Sequence, residues 1–214
     1  MTRPLLIVGG APRVAVDAVR FLSVKASGDT AVALAEGLKR AGLGAELLLG
    51  ILARPGVAAA RRYDGRDDLE AALRTWLGQH PNGVVVLSAA INDYQVAGVE
   101  RRVGDAVTGF APGEKVPSGG DEVIIRLRPA GKVIDQLAAW GHRGPLVGFK
   151  YEDAATVVAS AQALQRRCGA SLVVANSLCG TLQALVQANG VEQFADRKSL
   201  LAGLLAQVAG LARA

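Results

Sequence analysis

The stretch Pro4-Leu-Leu-Ile-Val-Gly-Gly10 limits this chain more than any other, because a short apolar run closed by two glycines reads as a buried strand. A long loop over residues 16–30 lies beyond it, and residues 31–42 read as a helix with Leu34, Leu38 and Ala41 at helical spacing. Ser27 is the best N-cap candidate, and Asp29 falls in the first turn, where the helix dipole favours an acid. A strand, a glycine turn and a helix start together make an anion site, since unpaired N–H groups point outward there. The generic reading is a nucleotide or dinucleotide fold. Gly9-Gly10-Ala11-Pro12 is not the G-x-G-x-x-G turn of an NAD(P)-dependent oxidoreductase, and no Walker lysine follows it. An ordered loop of this length at this place predicts a ligand role over a plain crossover.

Strand and helix patterns then alternate. Strands are expected over 44–50 and 84–90, separated by a helix over 67–77 with Leu69, Leu73, Trp76 and Leu77 on one face. Residues 97–120 read as an irregular, mobile flap, because Gly98, Gly104, Gly109, Pro112, Gly113, Pro117, Gly119 and Gly120 interrupt any period. A strand over 122–128, a helix over 132–140 and a buried strand over 146–150 follow. The helix over 154–167 turns Ala161, Leu164 and Cys168 inward, and the strand over 171–176 ends in a polar Asn176. A strand pair (182–186, 191–195) and a closing helix over 197–213, capped by Asp196, complete the pattern. Such an order predicts one α/β domain over 1–214, a mostly parallel sheet covered by helices.

Composition narrows the function classes. No apolar run reaches the roughly 18 residues of a membrane helix, and the start Met1-Thr-Arg-Pro4 lacks the features of a signal peptide. Cys168 and Cys179 have no metal-ligand spacing, so a reduced, cytoplasmic setting is the simplest reading. The net charge of +5 comes from eighteen arginines and six lysines scattered in ones and twos, without a basic stripe or interleaved aromatics. Anionic small molecules are therefore expected as partners, not nucleic acid or a membrane.

Chemistry candidates are few. Asp93 and Tyr94 follow the third strand at its C-terminal end, where open α/β sheets place ligands. Lys115 is the one lysine of the flap, either a flexible point charge for a phosphate or an idle surface residue. His80 and His142 lie beside turn residues and read as solvent-facing, which leaves no Ser-His-Asp arrangement. The acid pairs Asp67-Asp68 and Glu152-Asp153 sit near helix starts, where dipole and cap account for them; Glu152-Asp153 could also hold Mg²⁺ beside a phosphate. What remains suits activation by a nucleotide better than hydrolysis by a triad.

Five stretches, in order, resemble phosphopantothenoylcysteine synthetase, the phosphopantothenate–cysteine ligase family of coenzyme A biosynthesis. They are Gly9-Gly10, Val19-Arg-Phe-Leu-Ser23 with Ser27-Gly28, Ala89-Ala90 with Asp93-Tyr94, Glu114-Lys115-Val116 with Gly120-Asp121-Glu122, and Val147-Gly-Phe-Lys-Tyr-Glu152 with Val173-Val-Ala-Asn176. The resemblance implies a Rossmann-like three-layer α/β/α fold, a homodimer, CTP or ATP as cosubstrate, Mg²⁺, and a separate phosphopantothenoylcysteine decarboxylase as a possible partner. By position it places Gly10, Ala89, Ala90, Asp93, Phe149 and Arg167 around the nucleotide, and Arg20, Ser27 and Gly28 near the phosphopantothenate. Lys115 and Asp93 become the catalytic candidates, with Lys115 neutralising the triphosphate.

The chain also departs from the family pattern. The loop reads Arg-Phe-Leu/Ile-x-Asn-x-Ser-Ser-Gly in the family, and here Val24 stands at the asparagine, Ala26 at the first serine and Ala31 at a following glycine. Valine can neither donate nor accept a hydrogen bond. A lysine of the helix after Val-Gly-Phe is replaced within Ala161-Gln162-Ala163, with Arg166 or Arg167 as the substitute. These departures keep two functions open: a ligase joining phosphopantothenate, or another acid, to an amine, and a non-catalytic nucleotide-binding or regulatory paralogue.

Overall fold

The computed structural model describes residues 2–57 and 59–214. Its elements run β1 (Leu5–Gly9), β2 (Arg13–Ala15), β3 (Phe21–Ser23), α1 (Asp29–Arg40), β4 (Glu46–Gly50), β5 (Arg61–Tyr63) and α2 (Arg66–Gln79). Next come β6 (Val84–Leu87), β7 (Tyr94–Val103), β8 (Ala106–Phe110), β9 (Glu122–Pro129) and α3 (Val133–Gln136). The last third is β10 (Leu146–Glu152), α4 (Val157–Cys168), β11 (Leu172–Ser177), β12 (Gln183–Gln187), β13 (Gly190–Phe194) and α5 (Arg197–Arg213).

The central sheet has the order β13-β12-β11-β10-β6-β1-β4-β5. Its pairs from β11 to β5 are parallel, and β12 and β13 add an antiparallel edge. Side chains alternate between the two faces of a strand, and a parallel sheet covered on both faces needs apolar residues at every position. β1 obeys this fully: Leu5 and Ile7 pack with α1 and α5, while Leu6 and Val8 pack with α2 and α4. The result is the three-layer α/β/α arrangement. α2 buries Leu69, Leu73, Trp76 and Leu77, and the Trp76 indole N–H donates to Glu46 at 2.7 Å. Each such side chain contributes about 1.5–3 kcal/mol on burial. No helix among the described residues is long and apolar enough to cross a membrane.

Four local expectations are corrected. Residues 97–120 are not irregular, because β7, β8 and β9 form a three-stranded antiparallel arm. Its glycines mark joints: Gly98 lies at a register shift, and Gly104, at φ +56°, turns the β7–β8 hairpin. Ser27 does not cap α1. Gly28 is the N-cap residue at φ +77°, and the Ser27 hydroxyl bonds Asp29 instead, as donor to the carboxylate at 2.7 Å and acceptor from the backbone N–H at 3.3 Å. The helix expected over 132–140 is helical only over Val133–Gln136; the chain then turns back so that the His142 N–H reaches the Leu137 carbonyl.

His142 itself is buried, with its ring against the Gly83 carbonyl at 3.1 Å. Burial pushes its imidazole below the ordinary 6.5, outweighing the hydrogen bond to Gly83. The folded ring stays neutral where the unfolded one binds a proton, so stability falls as pH drops below about 6.5 and on through the folded value. Urea midpoints measured from about pH 7.5 down to about 5 should decline less steeply in His142→Phe than in the wild type.

Candidate functional site

The strand order reverses between β1 and β6, and in open α/β sheets a crevice forms outside the carboxyl ends at that point. β1 ends at Gly9-Gly10. The carboxyl end of β6 is laced to it, since Ser88 N–H donates to Val8 O and Ala90 N–H to Gly10 O, both at 2.9 Å. Ala89 and Ala90 are small, which leaves the crevice open. Gly10 has φ +79°, and a Cβ there would stand 2.7 Å from the Ala53 Cβ. Gly9 lies against α1, where a Cβ would meet that of Ala31 at 2.4 Å. Alanine at the expected glycine position 31 thus packs on Gly9.

A cleft of about 840 Å³ runs from this crevice across the sheet's carboxyl end. Gly10, Ser27, Gly28, Ala89, Ala90, Asp93, Phe149 and Arg167 all line it, so eight of the residues singled out by sequence are brought together. On one side the cleft meets the start of α1, where the Ser27 hydroxyl and Arg54, at 2.9 Å, both bond Asp29. The Ser27 hydrogen bond first, and Arg54 next, hold that carboxyl below its usual range. Arg197, at the start of α5, donates to the Thr30 hydroxyl at 2.6 Å.

Two ion pairs also line the cleft. Lys132 bridges both Asp93 oxygens at 3.0 Å, and Lys150 meets Glu152 at 2.8 Å. The Lys150 hydrogen bond, with a second from Ser160, holds the Glu152 carboxyl below its ordinary value. Arg167 is paired to Asp135 at 3.0 Å. Among the described residues no group of three or more His, Cys, Asp or Glu is placed to hold a metal. Of the cleft carboxylates, Asp29, Asp93 and Glu152 carry arginine or lysine partners and Asp196 caps α5 through Ser199, so a divalent cation fits here as one carried in on phosphates, not in a protein cage.

Arg20 and Lys115 lie outside the cleft lining. Arg20 pairs with Asp17 and donates to the Val116 carbonyl at 3.1 Å. The buried Asp17 carboxylate also accepts the backbone N–H groups of Val19, Arg20 and Val116. Burial raises its proton affinity, but these hydrogen bonds and Arg20 outweigh it and hold the carboxyl below its usual range. Asp17 and Arg20 thereby tie the arm to the β2–β3 hairpin. Lys115 is exposed on the segment between β8 and β9, beside the buried Val116.

Sequence reasoning passed over Lys132, Lys150, Arg197 and Gln183 as site residues, all of which line the cleft. Lys150 and Glu152 alternate on a strand that points into ligand space, a signal that was available. Gln183 carried none, because only the pairing of β11 with β12 brings it there. The cysteines differ sharply. Cys168 ends α4 against Asp135, and burial pushes its thiol up to about 11. Cys179 is exposed at the β11–β12 turn, and hydrogen bonding with Ser177 and Thr181 lowers its thiol to about 7.

A family model described as the DNA/pantothenate metabolism flavoprotein C-terminal domain matches residues 1–200. The coenzyme A biosynthesis bifunctional protein CoaBC of Thermococcus kodakarensis is 28% identical over 178 residues, 81% of this chain and 41% of that protein. The chain thus spans about two-fifths of that relative's length. Among solved structures, the DNA/pantothenate metabolism flavoprotein from Streptococcus pneumoniae superposes with a TM-score of 0.81 at 20% identity, covering 97% of this chain and 99% of that one. The C-terminal domain of a CoaBC bifunctional protein gives 0.73 at 21% identity, over 98% and 95%. A Cab2 variant in complex with phosphopantothenate-cysteine gives 0.75 at 15% identity, over 97% and 85%.

Gly10→Ala is expected to cost about 1–2 kcal/mol from the left-handed backbone alone, with the Ala53 contact adding to it. A lower urea midpoint than that of Gly42→Ala, whose glycine has φ +74° but open space around it, would isolate the contact.

Proposed function

Because the chain belongs to the DNA/pantothenate metabolism flavoprotein C-terminal domain family, we propose that it is a nucleotide-dependent ligase joining 4′-phosphopantothenate to cysteine. The carrying observation is that one cleft joins the Gly10, Ala89 and Ala90 crevice to the start of α1. Its size, about 840 Å³, accommodates a nucleotide together with a second substrate.

A carboxylate is a poor electrophile until one of its oxygens becomes part of a phosphate leaving group. In this reading the phosphopantothenate carboxylate attacks the α-phosphorus of CTP or ATP, forming an acyl-nucleotide and releasing pyrophosphate. The cysteine amine then attacks the acyl carbon, the nucleoside monophosphate leaves, and one proton passes to solvent. Gly10, Ala89, Ala90 and Phe149 border the nucleotide, and the Lys132–Asp93 pair and Arg167 stand where its phosphates and ribose would lie. Ser27 and Gly28 hold the acid at the positive end of α1. Mg²⁺ bound to the triphosphate would supply further charge neutralisation beside Lys132 and Arg167.

In this reading Lys115 acts from the arm and Arg20 from the β2–β3 turn bound to it. The arm exposes Val103, Val107, Val123 and Leu127, and an exposed apolar set of this kind supports a homodimer through that element. Lys115 would serve the triphosphate from the arm, and Arg20 would position the arm over the acid. The decarboxylation that follows in such a pathway would fall to a separate protein.

Pyrophosphate release from CTP and from ATP should depend on Mg²⁺ and 4′-phosphopantothenate, with a cysteine adduct detected by mass spectrometry. Nucleotide binding without any release would sink the ligase reading. One observation favours the non-catalytic alternative: Val24, about 40% exposed, stands where the family has an asparagine. If acyl transfer has been lost there, Val24→Asn with Ala26→Ser should raise adduct formation by about tenfold or more.

A further inference from the structure

Among the described residues Asp17 is the only buried carboxylate, with 5% of its surface exposed. It stands in the turn between β2 and β3, and its two oxygens divide the work. Oδ1 accepts the Val19 and Arg20 backbone N–H groups at 2.8 and 2.7 Å, which shapes the turn itself. Oδ2 accepts the Val116 N–H at 3.2 Å and pairs with the Arg20 guanidinium. Arg20 completes the clasp by donating to the Val116 carbonyl at 3.1 Å.

Val116 lies in the connection from β8 to β9. Among the described residues, the two bonds at Val116 are the only hydrogen bonds made by any residue from 115 to 120. The flanks are tied separately, Glu114 to Ala111 and Asp121 to Arg102. The Val116 side chain, 1% exposed, packs with Val16 and Val99. One residue therefore pins the whole stretch, and the exposed Lys115 is its immediate neighbour. A lysine is a point charge on a flexible stem, so its reach depends on where its Cα is held. Only a carboxylate suits the pin. Four N–H donors converge on Asp17, and a side-chain amide would offer one oxygen and present its own N–H₂ to the rest.

We propose that Asp17 is a positioning residue: through the Val116 backbone it holds Lys115 where its ammonium meets the triphosphate of the nucleotide. The assignment rests on the ligase reading for the role of Lys115, and on the Val116 bonds for its geometry. Charge that develops on the departing pyrophosphate then meets a cation already in place, so the gain falls on the chemical step more than on nucleotide binding. Arg20 offsets the negative charge of Asp17, which keeps the acid from repelling the polyphosphate it serves.

Asp17→Asn separates the two duties, because the amide oxygen keeps the turn bonds while its N–H₂ confronts the Val116 N–H and Arg20. In this variant kcat for pyrophosphate release should fall by about 10- to 100-fold. KM for the nucleotide should stay within about threefold. Combined with Lys115→Gln, it should be no slower than Lys115→Gln alone, since both changes remove the same cation from its place. A merely structural role would multiply the two losses instead. Multiplied losses, or a wild-type kcat in either single variant, would overturn the proposal.

Amide hydrogen exchange followed by NMR reads the pin directly. In the wild type the Val116 amide should exchange about tenfold slower than those of Lys115 and Ser118, and Asp17→Asn should abolish that difference. Unchanged rates at Ile7 and Val86 would show that the core of the variant is intact. A Val116 amide as fast as its neighbours in the wild type, or as slow in the variant as before, would overturn the proposal. If the wild type releases no pyrophosphate, the ligase reading fails, and lysine acetylation by acetic anhydride, mapped by mass spectrometry, decides the positioning. Mg²⁺ with CTP or ATP should protect Lys115 in the wild type and not in Asp17→Asn. Equal protection in both proteins, or none in either, would overturn it.

Discussion

Everything at the cleft depends on how β1 and β6 end together. Two backbone hydrogen bonds, from Ser88 to Val8 and from Ala90 to Gly10, hold the strand ends in register where the sheet order reverses. The close approach needs glycine at positions 9 and 10: one to admit α1 through Ala31, the other to turn the chain at positive φ beside Ala53. Unpaired amides of the α1 start are thereby aimed at the same space as the β6 end. In the proposed function an anion at this place would be held by the backbone, with the surrounding side chains tuning it.

The tuning is electrostatic and largely balanced. Asp93 with Lys132, Glu152 with Lys150, and Asp29 with Arg54 are exposed or half-buried pairs, worth little to stability on their own. Their value lies in keeping lysines and arginines fixed near the cleft without an unpartnered charge in the free protein. An arriving polyphosphate would compete with the carboxylates for those cations. The arm is held differently, by one buried carboxylate, Asp17, that collects three backbone N–H groups and Arg20.

Much of this was legible in the sequence where the signal is local. The Asp196 cap and the full length of α5 follow from composition and period, and the buried face of α2 follows from Leu69, Leu73, Trp76 and Leu77. The arm was not legible, because its glycines read as breaks while its hydrogen bonds come from β9, far along the chain. His142 looked like a turn residue, and only the fold places the Gly83 carbonyl against its ring. At the site, the residues of the family-like motifs gather as their order suggests, except that Arg20 and Lys115 stand with the arm. Asn176 and Gln183 meet only through strand pairing, which no local pattern encodes.

The contrast between the two thiols gives the molecule a built-in optical handle. The exposed Cys179 thiol is lowered to about 7 by its hydrogen bonds, whereas burial raises that of the half-buried Cys168 to about 11. A thiol-reactive dye would therefore attach at a single place without any engineered cysteine. That place is the turn joining β11 to β12, adjacent to the Leu178 and Gly180 positions of the cleft wall. Ligand occupancy could then be followed by fluorescence in the otherwise unaltered protein.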